Sequence, residues 1–373
     1  MKDRFSALDS FRGLAALCVV MYHMHFVDTL TESSFFRGSF IFVDFFFVLS
    51  GFVLAHGYGF RTKIKFKDFL QRRALRLFPL HILMLIGFIM FEATRLAATY
   101  LFEVSFNSIP FSGSQDISEI LPNLLLLQAW LPSADPFSFN APSWSISVEF
   151  YLYLVLFITI LTGNRSKQIL WLLLASAGVY LTLNTDVWKA YFGFSNEVLR
   201  GLVGFFGGVV MYLCYRLISR FKLVNSSGRS WLTKTLFTAY ELILVIATVR
   251  LVSFNDSTNN LSLISLFCIV VLSFSFQRGW ISTLLNIKIF QYLGKISYSI
   301  YLTHSLVLLC VNALIIAVQN WAPGAGFTFV EAGGRHFDSG LTWLNYGLLI
   351  AILLLVIVVS HNTYYRVERR FYK

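Results

Sequence analysis

Residues 38–59 read GSFIFVDFFFVLSGFVLAHGYG, and these 22 residues contain one acidic side chain, Asp44, and no lysine or arginine. About 20 predominantly apolar residues are enough for a helix to cross the hydrocarbon core of a bilayer. The stretch therefore predicts a membrane-spanning helix with a single carboxylate inside it.

The same pattern recurs along the chain of 373 residues. Ten apolar stretches are long enough to span a membrane: 8–27, 38–59, 75–98, 143–162, 168–184, 198–216, 235–253, 258–276, 296–318 and 342–362. Only 13% of the residues are charged, about half the fraction found in soluble domains. The high apolar content excludes a disordered chain, and the four cysteines lack the spacing of a disulfide framework. We predict an all-α, polytopic transmembrane bundle of about ten spans, forming one domain over residues 1–373.

Basic residues are concentrated on one side of this predicted bundle. Of the 30 lysines and arginines, 23 lie in the N-terminus, the C-terminal tail and the alternate loops that ten spans place together, with Arg76 and Arg216 counted at the adjoining ends of their spans. They are densest in loop 60–74. Because cytoplasmic loops retain positive charge, both termini are predicted to be cytoplasmic and loop 99–142 to be outside. The net charge of +11 then needs no nucleic-acid partner.

Two further segments carry structural predictions. Residues 119–131 are apolar but too short to span, and prolines 122 and 132 border them, so we expect a re-entrant or surface segment. The run Gly201-x-x-Gly204-x-x-Gly207-Gly208 predicts close packing of two helices.

Ionisable side chains inside spans are candidates for function, because an unpaired charge in lipid is costly. Arg12 and His23 are eleven residues apart, so they lie on one side of the first span, about 16 Å apart along its axis. Asp9 can pair with Arg12. Asp44 and Glu149 are predicted at the depth of His23, where a carboxylate would raise the basicity of an imidazole acting as general base. The alternative is an interfacial Asp9–Arg12 pair with His23 and Asp44 facing water.

Other polar groups fit a two-sided site. Arg73 and Arg76 share a helix face on the basic side, where two guanidinium groups suit a phosphate or, alternatively, lipid headgroups. His304 shares a face with Tyr301 and is the second candidate base. His23 and His25 point about 200° apart on a helix and cannot chelate one ion, so no metal is expected. A phosphate-bearing donor would enter from the cytoplasm and an alcohol from outside.

Five motifs, in this order, resemble acyltransferase family 3, a family of integral membrane O-acyltransferases. They are Leu8-Asp9-x-x-Arg12-Gly13 followed by His23, Asp44-Phe45-Phe46-Phe47-Val48-Leu49-Ser50-Gly51-Phe52, Arg73-x-x-Arg76-Leu77-x-Pro79, Ser143-Trp144-Ser145-Ile146-Ser147-Val148-Glu149-Phe150, and Ser297-Tyr298-Ser299-Ile300-Tyr301-Leu302-x-His304. They cover about residues 5–310.

The resemblance implies transfer of an acyl group, usually acetyl, from cytoplasmic acyl-CoA to a hydroxyl of a surface glycan or glycosylated acceptor, in the bacterial inner membrane. His23 would be the catalytic base, supported by Arg12, while Arg73 and Arg76 would hold the acyl-CoA. The remaining expected site residues are Asp44, Glu149 and His304 in catalysis and Trp144, Ser147, Tyr151 and Tyr301 at the acceptor. Many members carry an added SGNH hydrolase-like domain, and here we expect the membrane domain alone to complete the transfer.

Three alternatives stay open from the sequence. Intramembrane charges also suit a transporter or flippase of a lipid-linked or anionic solute. A non-catalytic partner of a polysaccharide synthase would not need His23. Direct transfer and an acyl-histidine intermediate fit the same residues. Membrane lipid and a second copy of the chain are further expected partners.

Overall fold

The computed structural model describes residues 5–61, 64–185, 195–220, 231–255, 261–321, 327–331 and 334–371. Several basic residues of the topology prediction lie outside this range, as does the start of predicted span 258–276. These residues are Lys2, Arg4, Lys63, Lys222, Arg229 and Lys373.

The chain is a helical bundle with a single small hairpin among the described residues. Its helices are α1 (Ser6–Tyr22), α2 (Ser34–Arg37), α3 (Phe42–Tyr58), α4 (Phe66–Phe102), α5 (Ile120–Leu124), α6 (Ser143–Ile160), α7 (Asn164–Leu183), α8 (Asn196–Ile218), α9 (Trp231–Ser253), α10 (Leu261–Ser275), α11 (Trp280–Leu285), α12 (Lys288–Trp321), α13 (Thr342–Thr363) and α14 (Arg369–Phe371). The antiparallel strands β1 (Thr328–Glu331) and β2 (Gly334–Phe337) follow α12. A π-helix, Tyr364–Glu368, continues α13.

The helical spans agree with the hydropathy pattern. Within the described ranges, eight helices are long and apolar enough to cross a membrane. The two other predicted spans coincide with the shorter helices α1, of 17 residues, and α10, of 15 residues. The polytopic all-α prediction is therefore confirmed.

Two boundaries differ from the prediction. Helix α1 ends at Tyr22, so His23 is its C-cap and His25 lies beyond the helix. Helix α4 begins at Phe66, so most of the predicted loop 60–74 is helical and carries Arg73 on its first turns. The second difference arises because hydropathy detects contact with lipid, whereas a helix continues through polar residues into the interface.

Segment 119–131 contains α5 and then folds against α6. The Ser147 hydroxyl donates to the Leu126 carbonyl oxygen at 2.6 Å, and the Trp130 indole N–H donates to the Ser147 carbonyl oxygen at 3.1 Å. Leu126 is fully buried in this contact. Leu126 and Ala129 therefore pack inside the protein near the start of α6, whereas Leu121, Leu124, Leu125 and Leu131 stay exposed.

The β1–β2 hairpin was not predicted. Its strands have four residues each, which is too short for an alternating pattern to be recognised. It is fixed by main-chain bonds to the loop after α1: Phe337 N–H donates to His25 O at 2.8 Å, and Val27 N–H donates to Phe337 O at 3.0 Å. The hairpin thus extends over the end of α1 that carries His23.

Helices α3 and α8 pack closely because glycines face the neighbouring backbone. A Cβ at Gly51 would overlap the carbonyl oxygen of Phe205, and one at Gly208 would overlap that of Val48. The close packing predicted from the glycine run is confirmed. In lipid, where burial of apolar surface drives little association, such van der Waals contact is a main source of bundle stability.

We predict that Gly51→Ala or Gly208→Ala lowers the free energy of unfolding by about 1–3 kcal/mol, because the added methyl group has no space. Gly347→Ala in α13 is the matched control, since no atom lies within 4 Å of a Cβ there. Thermal unfolding in detergent micelles measures both effects. Equal midpoints for Gly51→Ala and Gly347→Ala would contradict the packing.

Candidate active site

Basic side chains from four parts of the chain line a cavity at one end of the bundle, which we call the basic-side cavity. Arg12 comes from α1, Arg76 from α4, Lys295 from α12 and Arg369 from α14, and Glu368 is the acidic residue of the C-terminal π-helix on the same wall. The grouping of these four basic side chains agrees with the predicted placement of basic residues on one side of the bundle. Guanidinium and ammonium groups arranged in this way suit an anionic ligand such as a phosphate.

Arg12 is anchored by three groups. Its Nε donates to the Ser297 hydroxyl at 2.9 Å, its Nη2 donates to the Gly294 carbonyl oxygen at 3.0 Å, and Asp9 lies 3.3 Å from Nη2. The Asp9–Arg12 pair was predicted, whereas the two contacts to α12 were not. They fix the side chain so that its charge faces the cavity.

A second, central cavity continues inward, because Arg12 and Arg76 line both spaces. Its other walls include Glu149 and Tyr301. The Glu149 carboxylate accepts short hydrogen bonds from the hydroxyls of Ser50 and Tyr153. The predicted location of Glu149 beside His23 is therefore corrected: its side chain lies with the two arginines in the central cavity.

Two histidines meet deeper in the bundle. The ring centroids of His23 and His304 are 5.1 Å apart, and those of His304 and Tyr301 are 6.0 Å apart. His304 is fully buried, its Nδ1 lies 3.3 Å from the Ile300 carbonyl oxygen, and its Nε2 has no hydrogen-bond partner among the described residues. Three rings thus lead from the central cavity to His23.

His23 is exposed on the far side of these rings, where it faces a cavity at the end of the bundle opposite the basic residues. We call this the hairpin-side cavity. Its walls include residues 104–108 of the long loop, the Glu92–Arg95 pair of α4, and Thr328 and Arg335 of the hairpin. Arg95 is held by both Glu92 oxygens, at 2.8 and 2.9 Å, and by the Ser108 carbonyl oxygen at 2.6 Å. Arg95 is therefore fixed in place, and the cavity wall combines polar groups with apolar side chains such as Phe88 and Leu308.

Asp44 has a partner that the sequence analysis missed. Its Oδ1 accepts from Arg200 Nε at 3.1 Å, and both side chains are buried. The Arg200 guanidinium also lies 5.0 Å from the Trp144 ring centroid. Asp44 Oδ2 has no hydrogen-bond partner in the described chain, so the predicted interaction with His23 is replaced by an ion pair between α3 and α8. An arginine in the first turn of a predicted span was the available signal.

Several predicted ligand-binding residues instead hold the protein together. Arg73 is buried, with its guanidinium 5.5 Å from the Tyr58 ring and 6.0 Å from the Tyr153 ring. Trp144 is buried against Arg200 and against Phe47.

Ser147 and Tyr151, which were predicted to contact the acceptor, donate hydrogen bonds to main-chain oxygens of segment 119–131. Tyr301 lines the central cavity, where its hydroxyl bonds to the Pro142 carbonyl oxygen at 3.0 Å and to Ser145 at 2.9 Å. Of the four predicted acceptor residues, Tyr301 is the one that reaches this cavity.

We predict that Asp44→Asn and Arg200→Met each destabilise the protein by about 3–5 kcal/mol, because each leaves one buried group without its charge partner. The double variant should lose much less than the sum of the two. Thermal unfolding of the four proteins forms the double-mutant cycle. Additive losses would show that the two side chains do not interact.

Comparisons with known proteins find acyltransferases. A family model described as an acyltransferase domain matches residues 5–362. The chain is 35% identical over 160 residues to an acyltransferase, MdmB, of Streptomyces mycarofaciens, across 40% of this chain and 38% of that protein. It is 26% identical over 345 residues to a Staphylococcus aureus (strain COL) protein with a provisional O-acetyltransferase name, across 84% of this chain and 52% of that protein.

The chain spans about half the length, or less, of these curated relatives. No solved structure matches it. Because the family model matches nearly all of its residues, this protein belongs to the acyltransferase family that its five motifs resemble.

Proposed function

We propose that this protein is a membrane O-acyltransferase that moves an acyl group, most simply acetyl, from cytoplasmic acyl-CoA to a hydroxyl of a glycan or glycoconjugate outside the inner membrane. Residues 1–373 would act as one transmembrane acyltransferase domain. The observation that carries the proposal is the succession of Tyr301, His304 and His23 between two cavities of different character.

The positive charge of the basic-side cavity indicates where the acyl donor would bind. Acyl-CoA carries phosphates and a long pantetheine arm that ends in the thioester. The basic-side cavity offers Arg12, Arg76, Lys295 and Arg369 for the phosphates, and the central cavity continues from it towards Tyr301. We infer that the nucleotide stays at the basic, cytoplasmic mouth while the arm extends inward beside Glu149.

The cavity that gives access to His23 indicates where the acceptor would bind. His23 faces the hairpin-side cavity, whose polar side chains suit hydrogen bonding to a hydroxylated acceptor. A hydroxyl entering from there meets an imidazole before it meets the thioester. Loop residues 104–108 and the hairpin residues Thr328 and Arg335 would contact the acceptor.

The proposed reaction uses His23 as general base. The hydroxyl proton moves to an imidazole nitrogen, the acceptor oxygen bonds to the thioester carbonyl carbon, and the carbon–sulfur bond breaks to release CoA as the thiolate, which takes up a proton. His304, in ring contact with His23, stabilises and orients the imidazole during this transfer. An acyl-histidine intermediate would use the same imidazole as nucleophile.

We predict that His23→Ala lowers acyl transfer by about 10²–10⁴-fold, the usual contribution of a general base. Purified protein in nanodiscs, incubated with radiolabelled acetyl-CoA and a crude surface-glycan extract, provides the assay. His361→Ala is the matched control, because His361 is exposed and bonds to Tyr292. Among the described residues it lines neither the basic-side cavity nor the hairpin-side cavity.

Acyl transfer by His23→Ala at the wild-type rate would show that His23 is not the general base. Loss of transfer in His304→Ala alone would assign that role to His304. Absence of thioester consumption by the wild-type protein, with several glycans and acyl donors, would favour a transporter of an anionic solute instead.

The two arginines of the basic motif should respond differently. Arg76→Gln should raise the KM for acetyl-CoA by about tenfold or more, because a charge-assisted hydrogen bond contributes about 1.5–3 kcal/mol. Arg73→Gln should mainly lower the unfolding temperature, since Arg73 is packed between Tyr58 and Tyr153. Steady-state kinetics and thermal unfolding separate the effects. A larger KM increase for Arg73→Gln than for Arg76→Gln would contradict this assignment.

A further inference from the structure

Three side chains that could bind a metal ion meet beside the hairpin. His25 lies in the loop after α1, Glu32 ends the 3-10 turn Leu30–Glu32, and His336 belongs to β2. One donor atom from each lies within 4.8 Å of the other two. His25 Nδ1 is 3.5 Å from Glu32 Oε1, and the His25 and His336 ring centroids are 4.6 Å apart.

We propose that His25, Glu32 and His336 bind a divalent transition-metal ion of the zinc class on the hairpin side of the bundle. This site is independent of acyl transfer. Two imidazoles and one carboxylate are a ligand set that Zn²⁺ uses, with further positions left for water. Ligand atoms around tetrahedral zinc stand about 3.3 Å apart at the usual bond lengths, so a small movement of the three side chains is enough.

The main chain around the cluster is already fixed. Phe337 N–H donates to His25 O, and Val27 N–H donates to Phe337 O, which joins β2 to the loop that carries His25. The Thr29 hydroxyl accepts from the Thr31 N–H and donates to Phe26 O, which fixes the turn before Glu32. The His336 ring stacks on Phe329 with centroids 5.3 Å apart. Such supports reduce the entropy lost when ligands bind a metal.

The positive charge of Arg37 lies beside the cluster. Its Nη1 lies 2.8 Å from His25 Nδ1, while Nε and Nη2 donate to the carbonyl oxygens of Thr31, Met21 and Met24. Because those three bonds hold the guanidinium in place, the His25 ring would turn away from Arg37 when a metal binds. We infer that the guanidinium satisfies the cluster without metal, and that its charge makes the site weaker than a closed structural zinc site.

The cluster lies at the edge of the bundle, because His25 is in the loop beyond α1 and all three side chains are half-buried. A bound ion would connect β2 to the loops on either side of Glu32, next to the hairpin-side cavity that Thr328 and Arg335 line.

The test is Zn²⁺ binding to the full chain in nanodiscs, after removal of any affinity tag, by competition with a chromophoric chelator. We expect one ion per chain for the wild type. His336→Gln and Glu32→Gln should bind at least about tenfold more weakly, since even loss of an outer-shell partner costs 10–100-fold. His361→Gln, which changes an exposed histidine elsewhere, should bind like the wild type.

A second readout makes the result independent of folding differences among variants. Zinc-edge X-ray absorption of the wild-type complex should show two imidazole ligands together with oxygen ligands. Binding that is equal in wild type and His336→Gln, or a ligand shell without imidazole, would overturn the proposal. So would no Zn²⁺ binding at all, which would leave Arg37 as the permanent occupant.

Discussion

A charged side chain inside a lipid-embedded bundle must be paired or kept in contact with water, and this constraint organises the structure. Asp44 and Arg200 satisfy it by pairing between α3 and α8. Arg12 satisfies it by pairing with Asp9, and both Arg12 and Arg76 also face cavities at the basic end. Similar residues in similar spans thus have two roles. The enclosed Asp44–Arg200 pair holds two helices together, whereas charges that also face a cavity can meet a ligand.

The parallel packing of α1 on α12 connects these charges to the histidines. Near the basic end, Arg12 donates to Ser297, and further along both helices His23 meets His304. Each helix therefore contributes one polar group to the basic end and one imidazole to the junction. A group bound at either end would be brought towards the same pair of rings, which is the arrangement that the proposed transfer across a membrane requires.

The sequence predicts the helices well, because hydropathy and charge asymmetry are local properties of each segment. It also predicts the Asp9–Arg12 pair, since side chains three residues apart are neighbours on the surface of a helix. It does not predict that Asp44 bonds to Arg200, or that His336 lies beside His25, because those contacts depend on how distant segments pack. Trp144 illustrates the same difficulty, since an aromatic residue near a span end fits a sugar platform, a membrane belt or a buried contact with arginine equally well.

The central claim is that the donor occupies the basic side and directs its acyl group towards His304 and His23. The most direct measurement is an electron cryomicroscopy structure in nanodiscs with a non-hydrolysable thioether analogue of acetyl-CoA. We predict phosphates within hydrogen-bond distance of Arg76 and the carbonyl group beyond Tyr301, in contact with the His304–His23 pair. An analogue bound in the hairpin-side cavity, or one whose acyl group points away from the histidines, would contradict the account.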